Sequence, residues 1–360
     1  MIVVERYSVS YIICFLLLHL FDLEYRLKEF IGIQYLRGIA AVLIIIYHSM
    51  VMTAVTPFFT YPIGEFGVDI FFVISGFIMW VTTEYKNPTP FSFFKARLLR
   101  VYPLYWFFTL LLLASVFFVP SAFLNQRSID VWYIMKSLLL IPSYNPDVGD
   151  ITPIYTIGWT LVYEMFFYAI FTVSLSIKTS WIRISALFVF FSSLIIAGSL
   201  YDSHNPMFLT YTNPFIIEFI AGAMLGFATN KILLLKEWVG SVFISIATLL
   251  FIFGVFYGSS LPRVMIYGSA ASFLVISFIT FENKFSKRKV NIALLIGNAS
   301  FSLYLVHPFA QRAWFIIENT MIGKIASFSN AILYMTGAVL AGIIGGLICH
   351  LLNRKTIAEY

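Results

Sequence analysis

An all-α, polytopic membrane helix bundle of about ten transmembrane helices is the fold class the sequence predicts, on three observations. Hydrophobic residues make up 60% of the 360-residue chain, with a mean hydropathy of +0.90. Charged residues make up 11%, where a soluble domain carries about a quarter. Apolar runs able to cross a hydrocarbon core ~30 Å thick recur along the whole chain.

Taken in order, residues 7–21 are apolar but short of the ~20 residues a span needs. Acidic residues flank them and no small-residue cleavage site follows, so this is read as an interfacial or packed extension and not a cleaved signal. The first span, 36–54, carries Arg37 and His48, and the second, 66–83, carries Asp69 and Gly76. The third, 102–120, has Pro103 in what reads as its first turn. A shorter segment, 131–142, contains Lys136 and is expected to be a partial or interfacial helix. The loop from about 142 to 157 is rich in Pro, Gly, Asn and Asp, which marks turns. Spans then follow at 158–177 with Trp159, Glu164 and Tyr168, at 182–200, at 214–229 with Pro214 and Glu218, at 237–257 and at 263–281. The last two are 299–317, with His307 before Pro308, and 329–352. Trp80, Trp106 and Trp159 fall near span ends, where belt aromatics are expected. No internal repeat, low-complexity tract or soluble domain interrupts the pattern. The expected division is an N-terminal extension over 1–31, one membrane domain over 32–352 and a cytoplasmic tail over 353–360.

The net charge of +6 could suit nucleic acid, but the basic residues lie in loops between hydrophobic segments, so no nucleic-acid partner is expected. With the N-terminus inside, 18 of the 23 Lys and Arg residues are cytoplasmic, leaving Arg127, Lys136, Arg263, Arg312 and Lys324 outside. That asymmetry predicts both termini inside. Cys14 and Cys349 sit far apart in apolar stretches, without metal-ligand spacing, so neither a disulfide framework nor a metal site is expected.

Arg37 and His48 are eleven residues apart. At 100° per residue they fall about 20° from the same helix face, separated by about 16 Å along the axis. With Arg37 at the cytoplasmic boundary, His48 lies near mid-membrane. Ionisable groups there are costly and tend to serve function; the alternatives are snorkelling for Arg37 and a helix-to-helix hydrogen bond for His48. Arg97 and Arg100 share a face and could pair with phosphate through planar guanidinium donors, or simply follow the positive-inside rule. Asp69, Glu164 and Glu218 cluster by depth in the outer half, where they could bind sugar hydroxyls, orient His48, or join helices. Tyr168 lies within reach of Glu164 at i+4. Gly76, near the Asp69 face, permits close helix contact. Pro308 frees a backbone carbonyl near Tyr304, and His307 reads as structural or substrate-orienting. His204 and His350 read as incidental.

"YLRGIAAVLIIIYH" (35–48) resembles the first-helix signature of the acyltransferase family 3 membrane proteins. Further matches follow in family order: "FGVDIFFVISGFIMW" (66–80), "FFKARLLRVYPLYW" (93–106), "GWTLVYEMFFYAIF" (158–171), "NPFIIEFIAGAMLG" (213–226) and "SFSLYLVHPF" (300–309). Within the family the pattern is similar to the ExoZ-type exopolysaccharide O-acetyltransferases. The resemblance covers roughly residues 32–352. It implies transfer of an acyl group, usually acetyl from acetyl-CoA, to a sugar hydroxyl at or beyond the membrane, with Arg37 and His48 as the essential pair.

The expected protein is thus a bacterial inner-membrane O-acetyltransferase. Its expected catalytic residues are His48, Arg37 and Glu164. Arg37, Arg97 and Arg100 are expected to bind acetyl-CoA, the acyl donor, while Asp69, Glu218 and His307 face the acceptor. The acceptor is a polysaccharide or lipid-linked sugar, and other polysaccharide assembly proteins are candidate partners. The alternatives are a membrane transporter and a non-catalytic partner in polysaccharide assembly; the absence of paired broken helices weighs against transport.

Overall fold

In lipid a backbone must satisfy its own polar groups, and a sequence of long apolar runs does so by forming helices. The computed structural model describes residues 30–51, 55, 63–118, 130–257, 261–321 and 328–358. Cys14 and the extension, except for residues 30 and 31, lie outside the described residues, as do 359 and 360 of the expected tail, Arg127 and Lys324.

The helices are α1 (Ile31–Met50), α2 (Phe66–Lys86), α3 (Pro90–Phe118), α4 (Val131–Leu138) and, after a 3-10 turn at Thr156–Gly158, α5 (Trp159–Ser174). There follow α6 (Ser180–Leu200), α7 (Pro206–Tyr211), α8 (Ile216–Phe227), α9 (Thr229–Ile232) and α10 (Glu237–Tyr257). A π-helical turn, Val264–Gly268, leads into α11 (Ser269–Thr280), and α12 (Glu282–Lys287), α13 (Asn291–Asn298), α14 (Ser300–Met321) and α15 (Phe328–Ala358) complete the chain. No strand is present among the described residues; an isolated bridge between Tyr144 and Ile151 closes the loop before α5.

Each of the ten expected spans maps onto a helix. Among the described residues, eight helices are long and apolar enough to cross a membrane, and nine if α13 and α14, bent by 72°, count as one broken span. The tenth, Val264–Thr280, is apolar but shorter. The bundle has a centre and a periphery: the most apolar window of α2 is 67% buried, and that of α10 only 17%.

Two close contacts set the centre. A Cβ on Gly76 would lie 1.9 Å from the Phe219 carbonyl oxygen, and one on Gly222 would lie 1.9 Å from that of Val73. Small residues on both sides therefore let the α2 and α8 backbones touch. Gly297, at the end of α13, approaches the backbone of Gln34 in the same way, bringing the break before α14 against α1 beside Arg37. Aromatic packing fills the α2, α5 and α8 junction, with Phe167 stacked on Phe219 at 3.8 Å.

α1 begins without a side-chain cap of its own. The Glu282 carboxylate supplies it from 250 residues away, accepting the Ile31 and Gly32 amides at 2.9 Å each. Orphan amides at a helix start favour such an anion.

The region of α3 departs from the sequence reading. The helix starts at Pro90 and runs through Pro103, so Arg97 and Arg100 lie within a helix and not in a loop. Pro90 suits the first helical position because its missing N–H is needed by nothing there. The short segment near 131–142 is the eight-residue α4. Its last carbonyls lack helical partners, and α3 provides them: Tyr105 donates to the Ser137 carbonyl, Trp106 to Leu138 and Tyr102 to Leu139. Trp80 is no belt residue; it is 1% exposed, with the Arg183 guanidinium 4.5 Å from its ring centroid. Trp159 likewise packs inward, edge-on to Phe72 and Tyr163.

Candidate active site

The helical spacing of Arg37 and His48 orders the site along α1. Arg37 donates to Gln34 Oε1 at 3.0 Å. Three turns further on, His48 Nδ1 lies 3.0 Å from the carbonyl oxygen of Ile44. A carbonyl only accepts, so Nδ1 carries the proton and the lone pair is on Nε2.

His307 on α14 meets this ring, with centroids 4.8 Å apart. Its Nδ1 is 3.2 Å from the Leu303 carbonyl, which fixes the same tautomer. The His307 side chain is fully buried and its Nε2 has no hydrogen-bond partner among the described residues. Gln311, one turn on, donates to the Ile45 carbonyl at 2.8 Å and ties α14 to α1 at the histidine level.

Towards the start of α1, two cavities share Arg37, Ile78, Arg97 and Arg100 in their walls. The wider, about 420 Å3, opens among Gln34, Thr82, Lys86 and Ser92. The narrower, about 70 Å3, runs deeper between Ile44, Phe71, Ser75, Glu164, Ser300 and Tyr304. His48 stands one turn beyond Ile44.

Arg97 lines both cavities. Its guanidinium lies 4.9 Å from the Phe93 ring centroid and 5.6 Å from that of Tyr168, and Nη2 donates to Thr82 at 3.3 Å. Glu164 faces the deeper cavity, accepting from the Tyr168 hydroxyl and from Ser75 at 3.4 Å.

Of the residues expected to form the site, the structure therefore gathers Arg37, Arg97, Arg100 and Glu164 around the deeper cavity, shares the three arginines with the wider one, and sets His48 against His307. Asp69 and Glu218 are placed elsewhere. Asp69, fully buried, accepts from Arg263 at 2.7 Å. Arg263 also pairs with Glu65, and Glu65 accepts from the Tyr47 hydroxyl at 2.7 Å. Glu218 is buried beside Asp69 and against Gly268 in the π-helical turn.

Arg263 and Glu65 are the residues that sequence reasoning passed over, Arg263 having counted only as a charge outside the membrane. The available signal was the i, i+4 pair of Glu65 and Asp69, whose shared face calls for a cation. Among the described residues no three His, Cys, Asp or Glu side chains converge as metal ligands.

Three guanidiniums and a carboxylate in the walls of a buried cavity, with an imidazole lone pair beyond it, suit group transfer from an anionic donor. The comparison with known proteins agrees: a family profile described as "Acyltransferase domain" matches residues 30–351. The chain belongs to acyltransferase family 3. This acyltransferase is 32% identical over 301 residues to the exopolysaccharide production protein ExoZ of Rhizobium meliloti, covering 82% of this chain and 90% of the relative. It is 27% identical over 176 residues to the peptidoglycan O-acetyltransferase OatA of Listeria monocytogenes, covering 44% of this chain and 26% of the relative. It is 30% identical over 111 residues to the acyltransferase MdmB of Streptomyces mycarofaciens, covering 30% of this chain and 28% of the relative. No solved structure matches. The protein is a multi-pass membrane acyltransferase, and the group it transfers is other than an amino-acyl group.

Proposed function

We propose that the protein is an O-acetyltransferase of the bacterial inner membrane, carrying acetyl from acetyl-CoA to a hydroxyl of a surface or exopolysaccharide sugar, free or lipid-linked. The observation that carries this reading is the pair of adjacent cavities that both count Arg37, Arg97 and Arg100 in their walls. Guanidinium forks match phosphate oxygens, and the wider cavity opens at the same end of the bundle, beside Lys86. The deeper cavity is the smaller of the two, which suits the acyl end of the donor. Bound there, the donor supplies an activated acetyl thioester. The names of the exopolysaccharide and peptidoglycan relatives support a glycan acceptor.

In this reading His48 Nε2 takes the proton of the acceptor hydroxyl, or accepts the acetyl group itself before passing it on. Both roles use the one lone pair that the Ile44 carbonyl leaves free. His307 orients the His48 ring. Arg37 and Arg97 hold phosphate, with Arg100 beside them, and Glu164 sets the polarity of the deeper cavity. Asp69 and Glu218 act on the acceptor side through Arg263. The arginine end faces the cytosol, with both termini inside, as the distribution of basic residues favours.

The test is proton NMR of the surface polysaccharide from a deletion strain and its complemented counterpart. Loss of the ester acetyl signals on deletion, restored on complementation, is expected; unchanged signals would remove the reading. The bent α13–α14 pair is a feature that transporters use. Loss of the polymer itself in the deletion strain would favour transport.

A further inference from the structure

On the side of α1 turned away from Arg37 and His48, a groove of about 690 Å3 opens on the outside of the bundle. Its walls are almost wholly apolar: Ile39, Val42 and Leu43 from α1, Phe278 from α11, and Ala293 and Ile296 from α13. Ile39 is 45% exposed, so this is an open furrow and not an internal void. At the end near the start of α1 the lining turns cationic, with Lys284 and Arg288. Lys287 and Lys289 adjoin them, giving four cations in six residues.

Among the described residues, little nearby charge answers these cations. Glu282 is buried, its carboxylate taken up by the Ile31 and Gly32 amides and the Ser286 hydroxyl. Lys284 reaches Glu237 only at 3.6 Å, with both side chains mostly exposed. Among the described residues no carboxylate forms an ion pair with Lys287, Arg288 or Lys289.

We propose that this groove binds an anionic glycerophospholipid, with an acyl chain along α1 and the phosphate between Lys284 and Arg288. Length favours this occupant. The lining of α1 runs from Tyr35 to Leu43, about 12 Å of helix, which fits within one leaflet's half of a core ~30 Å thick. A transmembrane helix or a long polyprenyl chain would extend far past it. Charge selects the headgroup, because juxtamembrane Lys and Arg attract anionic lipid at about fivefold per cation, while a zwitterionic headgroup offers no net charge. Val290, 51% exposed at the rim, and the Tyr35 hydroxyl, which accepts the Val290 amide at 2.7 Å, frame the headgroup end. The inference is independent of the donor and the acceptor.

The test is native mass spectrometry of the full-length protein in detergent, titrated with phosphatidylglycerol, phosphatidylcholine or a polyprenyl phosphate. Wild type is expected to retain one phosphatidylglycerol in preference to phosphatidylcholine. The double variant Lys284→Gln/Arg288→Gln should bind it about 25-fold more weakly. Ala293→Phe, which fills the groove and leaves the charge unchanged, should also lose it, and Lys178→Gln, a cation elsewhere, should not. Equal retention of the two glycerophospholipids would overturn the proposal, as would wild-type retention by the double variant. Preferential retention of polyprenyl phosphate would overturn the choice of lipid. If Ala293→Phe does not accumulate, the double variant, at an exposed rim, still decides the matter.

Discussion

His48 commits Nδ1 to the Ile44 carbonyl, and the proposed chemistry falls to the lone pair on Nε2. His48→Ala should therefore reduce polysaccharide acetylation by at least about 100-fold, the contribution of a positioned acid–base group, while the protein still accumulates in the membrane. Near-normal ester content in that variant would exclude His48 as base and as acyl carrier. Arg97 depends on shape as well as charge, packing its guanidinium on Phe93 and Tyr168. Arg97→Lys keeps the charge and loses the planar fork, so acetyl-CoA titration of the purified variant should show several-fold weaker donor use. Unchanged donor affinity in both Arg97→Ala and Arg100→Ala would leave these residues only a topological role. At this scale much was legible in the sequence. Helical spacing put Arg37 and His48 on one face and paired Arg97 with Arg100. The His48–His307 contact was not legible, because no local spacing relates α1 to α14. The placement of Asp69 and Glu218 was hidden for the same reason: depth alone grouped them with Glu164, and only the fold brings Arg263 to them.

Helices are held here by contacts that composition does not reveal. Glu282 caps α1 from the far end of the chain, and Glu282→Ala leaves the Ile31 and Gly32 amides without it. A loss of about 2 kcal/mol is expected, read as a lower unfolding midpoint of the purified protein; an unchanged midpoint would mean that the cap adds nothing. The contact between α2 and α8 is less forgiving. Gly222→Ala places a carbon 1.9 Å from the Val73 carbonyl oxygen, so the two backbones must separate. That variant should fail to accumulate as folded protein. Gly149→Asn should be tolerated, because Gly149 has φ +78° with nothing within 4 Å, and asparagine accepts that conformation. Size-exclusion profiles of both variants check the contrast. Apolar length made the spans readable, and Gly76 was recognisable as a close-contact residue. The start of α3 was misread because Pro103 resembles a first-turn proline; Pro90 holds that place, and α3 continues through Pro103.

At the scale of the whole molecule, the cavities meet the surface at the Arg37 end of α1, while the Arg263–Glu65–Asp69 cluster lies beside the second half of that helix, where Glu65 accepts from Tyr47 and Gly67 packs on Ala40. Acetyl-CoA is too highly charged to cross lipid, since even one buried charge costs several kcal/mol. The central claim is that the donor reaches His48 from the cytosolic end and the acceptor from the opposite side. Oriented membrane vesicles given labelled acetyl-CoA test it most directly. Inside-out vesicles should place label on lumenal glycan, and sealed right-side-out vesicles should not use donor added outside. Label confined to glycan on the exposed cytoplasmic face of inside-out vesicles would contradict the claim.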